Sequence, residues 1–143
     1  DQIVRFARWM LLPDDTQYGT WEKCAKEFEA LSGRLDDGNP SPIGLVYVSA
    51  RETKEIWQNH QVLAYGYREP DAETLELLIY DPNYPLRDDV LVRSRRVSIP
   101  AADPEQPLLS GLQSEQWVGD KRVKPVRGFF GMPYMPVEPP GDL

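Results

Sequence analysis

Two runs of β-forming residues, Asn59 to Tyr67 and Leu75 to Asn83, flank a polar connection from Arg68 to Thr74 and constrain this chain more than any other stretch. Short runs rich in Val, Leu, Ile and Tyr on either side of turn residues predict two neighbouring antiparallel strands. His60, the only histidine in the chain, opens the first run, and Asp81 closes the second. In an antiparallel pair the start of one strand lies beside the end of the next, so the pattern sets an imidazole next to a carboxylate. An acid so placed fixes one tautomer of the ring, by accepting the Nδ1 hydrogen, and steadies the imidazolium formed when the ring takes up a proton. Strict alternation along the first run puts His60, Val62, Ala64 and Gly66 on one face and Gln61, Leu63, Tyr65 and Tyr67 on the other. The small residues on the histidine face leave room for a closely packed neighbour.

Each of these residues also has a plainer reading. A histidine at a strand end is often satisfied by a loop carbonyl. Asp-Pro-Asn is a common turn opener whose carboxylate accepts nearby backbone amides. Residue types and spacing leave both readings open. A grouping of Asp81, Asn83, Asp88 and Asp89 as calcium ligands matches no spacing with a coordination logic, and no metal or cofactor is expected.

The remainder predicts an α+β chain with a twisted antiparallel sheet and two N-terminal helices. Ile3, Phe6, Ala7, Trp9 and Met10 recur at spacings of three and four, giving an amphipathic helix from Asp1 to Leu12 whose apolar stripe seeks a partner. Thr20 is the expected N-cap of a second helix, from Trp21 to about Leu35, with Glu22 complementing its dipole. Gly38, Pro40 and Pro42 then force a turn. Ile43 to Ser49 reads as a strand covered on both faces, Ala50 to Gln58 as a charged surface loop, and Val90 to Ile99 as a strand whose arginines line a solvated edge. Pro100 to Asp120 reads as a long surface excursion and Lys121 to Phe130 as a last strand. The expected organisation is one domain or fragment: a helical part (1–36), a sheet part (43–130) and a proline-rich tail (131–143).

Length and charge narrow the function classes. A chain of 143 residues with 41% hydrophobic content buries one modest core. A formal net charge of -7 argues against a nucleic-acid backbone as partner. No apolar run approaches the ~20 residues needed to span a bilayer. One cysteine excludes an internal disulfide and leaves no Cys/His cluster for zinc. That residue, Cys24, lies among Trp21, Phe28 and Leu31, as a small buried hydrophobe does. It also lies about one turn from the start of its helix, where a nucleophile would gain from the dipole.

The run Asn59-His60-Gln61-Val62-Leu63-Ala64-Tyr65-Gly66-Tyr67 resembles the histidine strand of papain-like cysteine peptidases. The ending Tyr80-Asp81-Pro82 resembles the orienting-acid strand of the bacteriocin-processing branch of that superfamily, and weaker likeness extends from Leu31 and takes in Arg127-Gly128-Phe129-Phe130. The resemblance implies a papain-like fold in which His60 deprotonates a cysteine and Asp81 holds the ring. Asn59, Gln61 and Asn83 would be supporting or substrate contacts, and Trp57 a shield against water. It also implies a nucleophilic cysteine on an upstream segment or a separate chain, because no segment here matches the helix that carries it, and a peptide or protein substrate. The alternative is an inactive peptidase-like module that binds a peptide or protein partner.

Overall fold

The computed structural model describes residues 2–47 and 59–132. The expected loop before His60, including Trp57, the end of the first strand and nearly all of the tail lie outside them. Two helices, α1 (Gln2–Leu11) and α2 (Thr20–Asp36), precede seven strands: β1 (Ser41–Val46), β2 (His60–Arg68), β3 (Thr74–Tyr80), β4 (Val90–Ile99), β5 (Leu109–Val118), β6 (Lys121–Val126) and β7 (Gly128–Gly131). All pair antiparallel, in the order β6-β5-β4-β3-β2-β1-β7. The architecture is α+β.

The two outermost strands are separated in sequence by Arg127 alone, so the sheet curls until its edges meet. The expected last strand from Lys121 to Phe130 is therefore two strands in one extended run. It leaves β5 at Val126 and joins β1 at Gly128, with the Arg127 amide donating to Val46 O at 2.7 Å.

Helix α2 touches β2, β5 and β7 and so fills the inside of the curl. Its buried side chains, Cys24, Phe28, Leu31 and Leu35, fall at helical spacing and meet Ile43, Leu45, Leu75, Leu77, Ile79 and Val92 in one core. Each such side chain contributes about 1.5–3 kcal/mol by leaving water. Helix α1 lies on the other side of β1 and β7, where the Phe6 and Trp9 rings pack on Phe130 with centroids 5.0 and 5.4 Å apart. The stripe that sought a partner is thus covered within the chain. Strand β1 is buried almost throughout, as its apolar sequence predicts, and sits between β2 and β7.

Four further expectations differ from the structure. The N-cap of α2 is Gly19, and Thr20, one residue into the helix, donates its hydroxyl to Asp14 Oδ1 at 2.6 Å. A bulge between Ala64 and Gly66 breaks the alternation of β2, so Tyr67 turns inward and its ring packs edge-on against Phe28 at 5.3 Å. The segment expected as a surface excursion contains β5, paired with β4 from Leu109 to Val118. Strand β4 is therefore internal, and Arg93 lies on its outer face, bonded to Glu76 at 2.8 Å and stacked over Trp117.

Candidate active site

His60 begins β2, in register with Leu45 of β1, and Asp81 follows directly after β3. The antiparallel β2-β3 pairing, with Leu63 opposite Tyr80, carries the two to the same end of the sheet. His60 Nε2 lies 2.6 Å from Asp81 Oδ1. The nitrogen that meets the carboxylate is thus Nε2, where Nδ1 was expected. The ring is partly exposed at 21%, whereas Asp81 is 1% exposed.

The carboxylate is held from every side. Its Oδ1 also accepts the Asn83 backbone amide at 2.9 Å, as a turn-opening aspartate does, so the two readings of Asp81 coexist in one residue. Its Oδ2 accepts the side-chain amide of Gln116 at 2.8 Å, and Gln116 is fully buried. Gln116 in turn accepts the Tyr47 hydroxyl on Oε1 at 2.6 Å, which fixes which end of the amide faces Asp81. Burial alone would raise the Asp81 carboxyl, but the hydrogen bonds from His60, the Asn83 amide and Gln116 outweigh it and hold the group below the ordinary carboxylate value. Burial, with the negative charge of Asp81 and then Tyr84 nearby, pushes the Tyr47 phenol up, so it stays a donor. The Lys124 ammonium sits 4.1 Å over the Tyr47 ring.

An ionised carboxylate with these donors accepts only, so the imidazole nitrogen facing it carries the hydrogen. In the neutral ring the lone pair then lies on Nδ1. No hydrogen bond to Nδ1 is made among the described residues. The ring is thus fixed in one tautomer beside a counter-charge for the imidazolium, and among the described residues its other nitrogen has no partner.

The supporting residues divide. Asn59 accepts the Tyr47 amide on Oδ1 at 2.9 Å and donates to Met10 Sδ at 3.2 Å, tying the start of β2 to β1 and α1. Asn83 contributes its backbone amide, and its side chain reaches only to 3.5 Å from Nε2, the outer limit of a hydrogen bond. Gln61 is exposed and, one residue along the strand from His60, points to the opposite face, so it does not join the site. Trp57 lies outside the described residues.

Cys24 is fully buried on α2, with the Phe129 backbone and the Ser114 side chain as hydrogen-bond partners. Burial pushes its thiol up to about 12. Phe129 pairs with Leu45, and Leu45 with His60, so the backbone Cys24 touches lies two strand spacings from the His60 backbone, roughly 10 Å. The inert reading of Cys24 is the one its surroundings support. Among the described residues no group of three or more His, Cys, Asp or Glu side chains converges to hold a metal, and Asp89 is bonded to Arg87. No described helix is long and apolar enough to cross a membrane.

Gln116 and Tyr47 are the members of the site that the sequence did not reveal. The inward face of β5 carries Leu112, Ser114 and Gln116, and Ser114 bonds Ser94 at 2.7 Å. Polar residues satisfied by partners on other strands erase the apolar alternation by which a strand is read.

Fold and site together define an α+β protein bearing a carboxylate-braced histidine at one end of a curled antiparallel sheet. Comparison with protein-family models, with curated proteins and with solved structures finds no match.

Proposed function

We propose that this chain is the base-bearing portion of a papain-like cysteine peptidase or acyl transferase, with His60 as general base and Asp81 as the residue that orients it. The 2.6 Å contact between His60 Nε2 and a buried, fully bonded Asp81 carries the reading. Nδ1 of His60 takes the proton of an incoming thiol, the thiolate attacks a peptide or ester carbonyl, and Asp81 stabilises the imidazolium in between. The same ring then returns the proton to the leaving group.

The thiol comes from a polypeptide segment beyond this chain, upstream or on a separate chain, because the single cysteine of the sequence is sealed in the core. The inertness of Cys24 also favours a second reading, a module that retains the braced histidine without catalysis and binds a peptide or protein. Producing the chain together with its upstream coding segment, then exposing it to a thiol-directed activity probe with and without His60→Ala, separates the two. Labelling that depends on His60 supports the peptidase; absence of labelling in the complete protein supports the binding module.

A further inference from the structure

A cleft of about 730 Å³ runs between α1 and α2, away from the carboxylate-braced histidine. Its walls come from two stripes of similar spacing, Arg5, Arg8 and Trp9 on α1 and Lys23, Lys26 and Glu27 on α2, each with residues at i, i+3 and i+4 so that they share one helix face. Leu11 and Leu12 supply apolar surface at one end, and Leu11 is 71% exposed.

The charges there are poorly neutralised. Arg5 pairs with Glu27 and Lys26 with Glu22, whereas the side chains of Arg8 and Lys23 make no short ion pair or hydrogen bond among the described residues, Lys23 feeling Glu22 only at longer range. Four cations therefore line the cleft against two carboxylates, Glu27 within it and Glu22 beside Lys26 and Lys23, an excess of positive charge in a chain whose net charge is -7.

We propose that the cleft docks a short acidic segment of a partner polypeptide, one that presents carboxylates to both walls and an apolar side chain to Leu11 and Leu12. The geometry selects this occupant over other anions. A lipid bilayer is flat and cannot reach cations that face one another across a groove. A nucleic acid extends far past the cleft over a chain whose net charge is -7, whereas a short segment lies within a screening length of about 8 Å of the four cations and feels mainly their field. A single phosphate would use the charge and leave the leucines bare.

Met10, on the opposite face of the same helical turn, bonds Asn59, the residue before the histidine. A partner held in the cleft is thus within one helix diameter of that end of the sheet, about 10 Å. The proposal does not depend on the peptidase reading.

The test is titration of the ¹⁵N-labelled full chain with a capped decapeptide of Glu-Glu-Leu repeats, beside its Gln-for-Glu counterpart, with backbone amide shifts as readout. Binding that moves the Arg8, Leu11, Lys23 and Lys26 amides, favours the Glu peptide at least tenfold, and weakens about tenfold between 50 and 300 mM NaCl supports the proposal. The double variant Arg8→Glu with Lys23→Glu changes two exposed side chains and keeps the fold. It is expected to lose that binding at least tenfold and to gain binding of a Lys-Lys-Leu peptide. Equal affinity for the Glu and Gln peptides, shifts elsewhere than the cleft, no shifts at 2 mM peptide, or preferential binding of phosphatidylserine vesicles or of single-stranded DNA would each overturn it.

Discussion

Replacing Gln116 by Leu tests the bracing of the histidine at its least visible member. The side chain is fully buried and makes two bonds, to Asp81 Oδ2 at 2.8 Å and from Tyr47 Oη at 2.6 Å. A hydrogen bond to a charged group is worth about 1.5–3 kcal/mol, and stranding a buried hydroxyl costs about 1–3 kcal/mol. Leu is close in volume, so no large cavity offsets or adds to the loss. The expected destabilisation is about 3–5 kcal/mol at pH 7, read from urea unfolding followed by tryptophan fluorescence.

The pH dependence makes this prediction specific. Asp81 is held below the ordinary carboxylate value in the folded chain, so its contribution is present above that value and is lost as pH falls through the folded one. Removing one donor raises the folded value, and the acid limb of the stability curve moves to higher pH. The gap between wild type and variant therefore narrows as both carboxyls protonate. Because His60 is the only histidine, its ring nitrogens give one resolvable pair of ¹⁵N signals, and loss of the clean Nε2–H tautomer is expected in the variant. A destabilisation under about 1 kcal/mol, or one that is the same at pH 7 as at pH 3, refutes the claim that Gln116 acts through the charge of Asp81.

Further outcomes follow from the same geometry. On the peptidase reading, His60→Ala in the complete protein is expected to lower turnover by about 10²–10⁴ and also to lower the unfolding midpoint, because it strips a hydrogen bond from the buried Asp81 carboxylate; equal activity would end the catalytic reading. Native Cys24 is expected to resist iodoacetamide at pH 8 and to react only after unfolding, because burial holds its thiol up to about 12; rapid native labelling contradicts this. Gly44→Ala is expected to destabilise by about 1–3 kcal/mol, since a Cβ there meets Phe130 Cζ and Phe6 Cζ at 2.8 Å and pushes α1 off the sheet. Circular dichroism melts measure it, and an unchanged midpoint would show that α1 docks loosely.

Local chemistry determined much of this protein. The helical spacing of Phe6, Trp9 and Met10, and of Cys24, Phe28 and Leu31, defined which faces α1 and α2 would bury. The two β-rich runs around Arg68 to Thr74 defined a hairpin, and the antiparallel rule then set His60 beside Asp81 without reference to the rest of the chain. These features were legible because they depend on neighbours a few residues away or on one tight connection.

Tertiary structure decided what depends on distant partners. Gln116 reaches Asp81, and Tyr47 reaches Gln116 across 69 residues of sequence, only because the sheet curls and brings β5 round towards β1. The handover at Arg127 and the packing of Tyr67 on Phe28 likewise depend on partners distant in sequence. A polar side chain in a strand carries no mark of being inward until its partner's place is known, and that place is a property of the closed sheet.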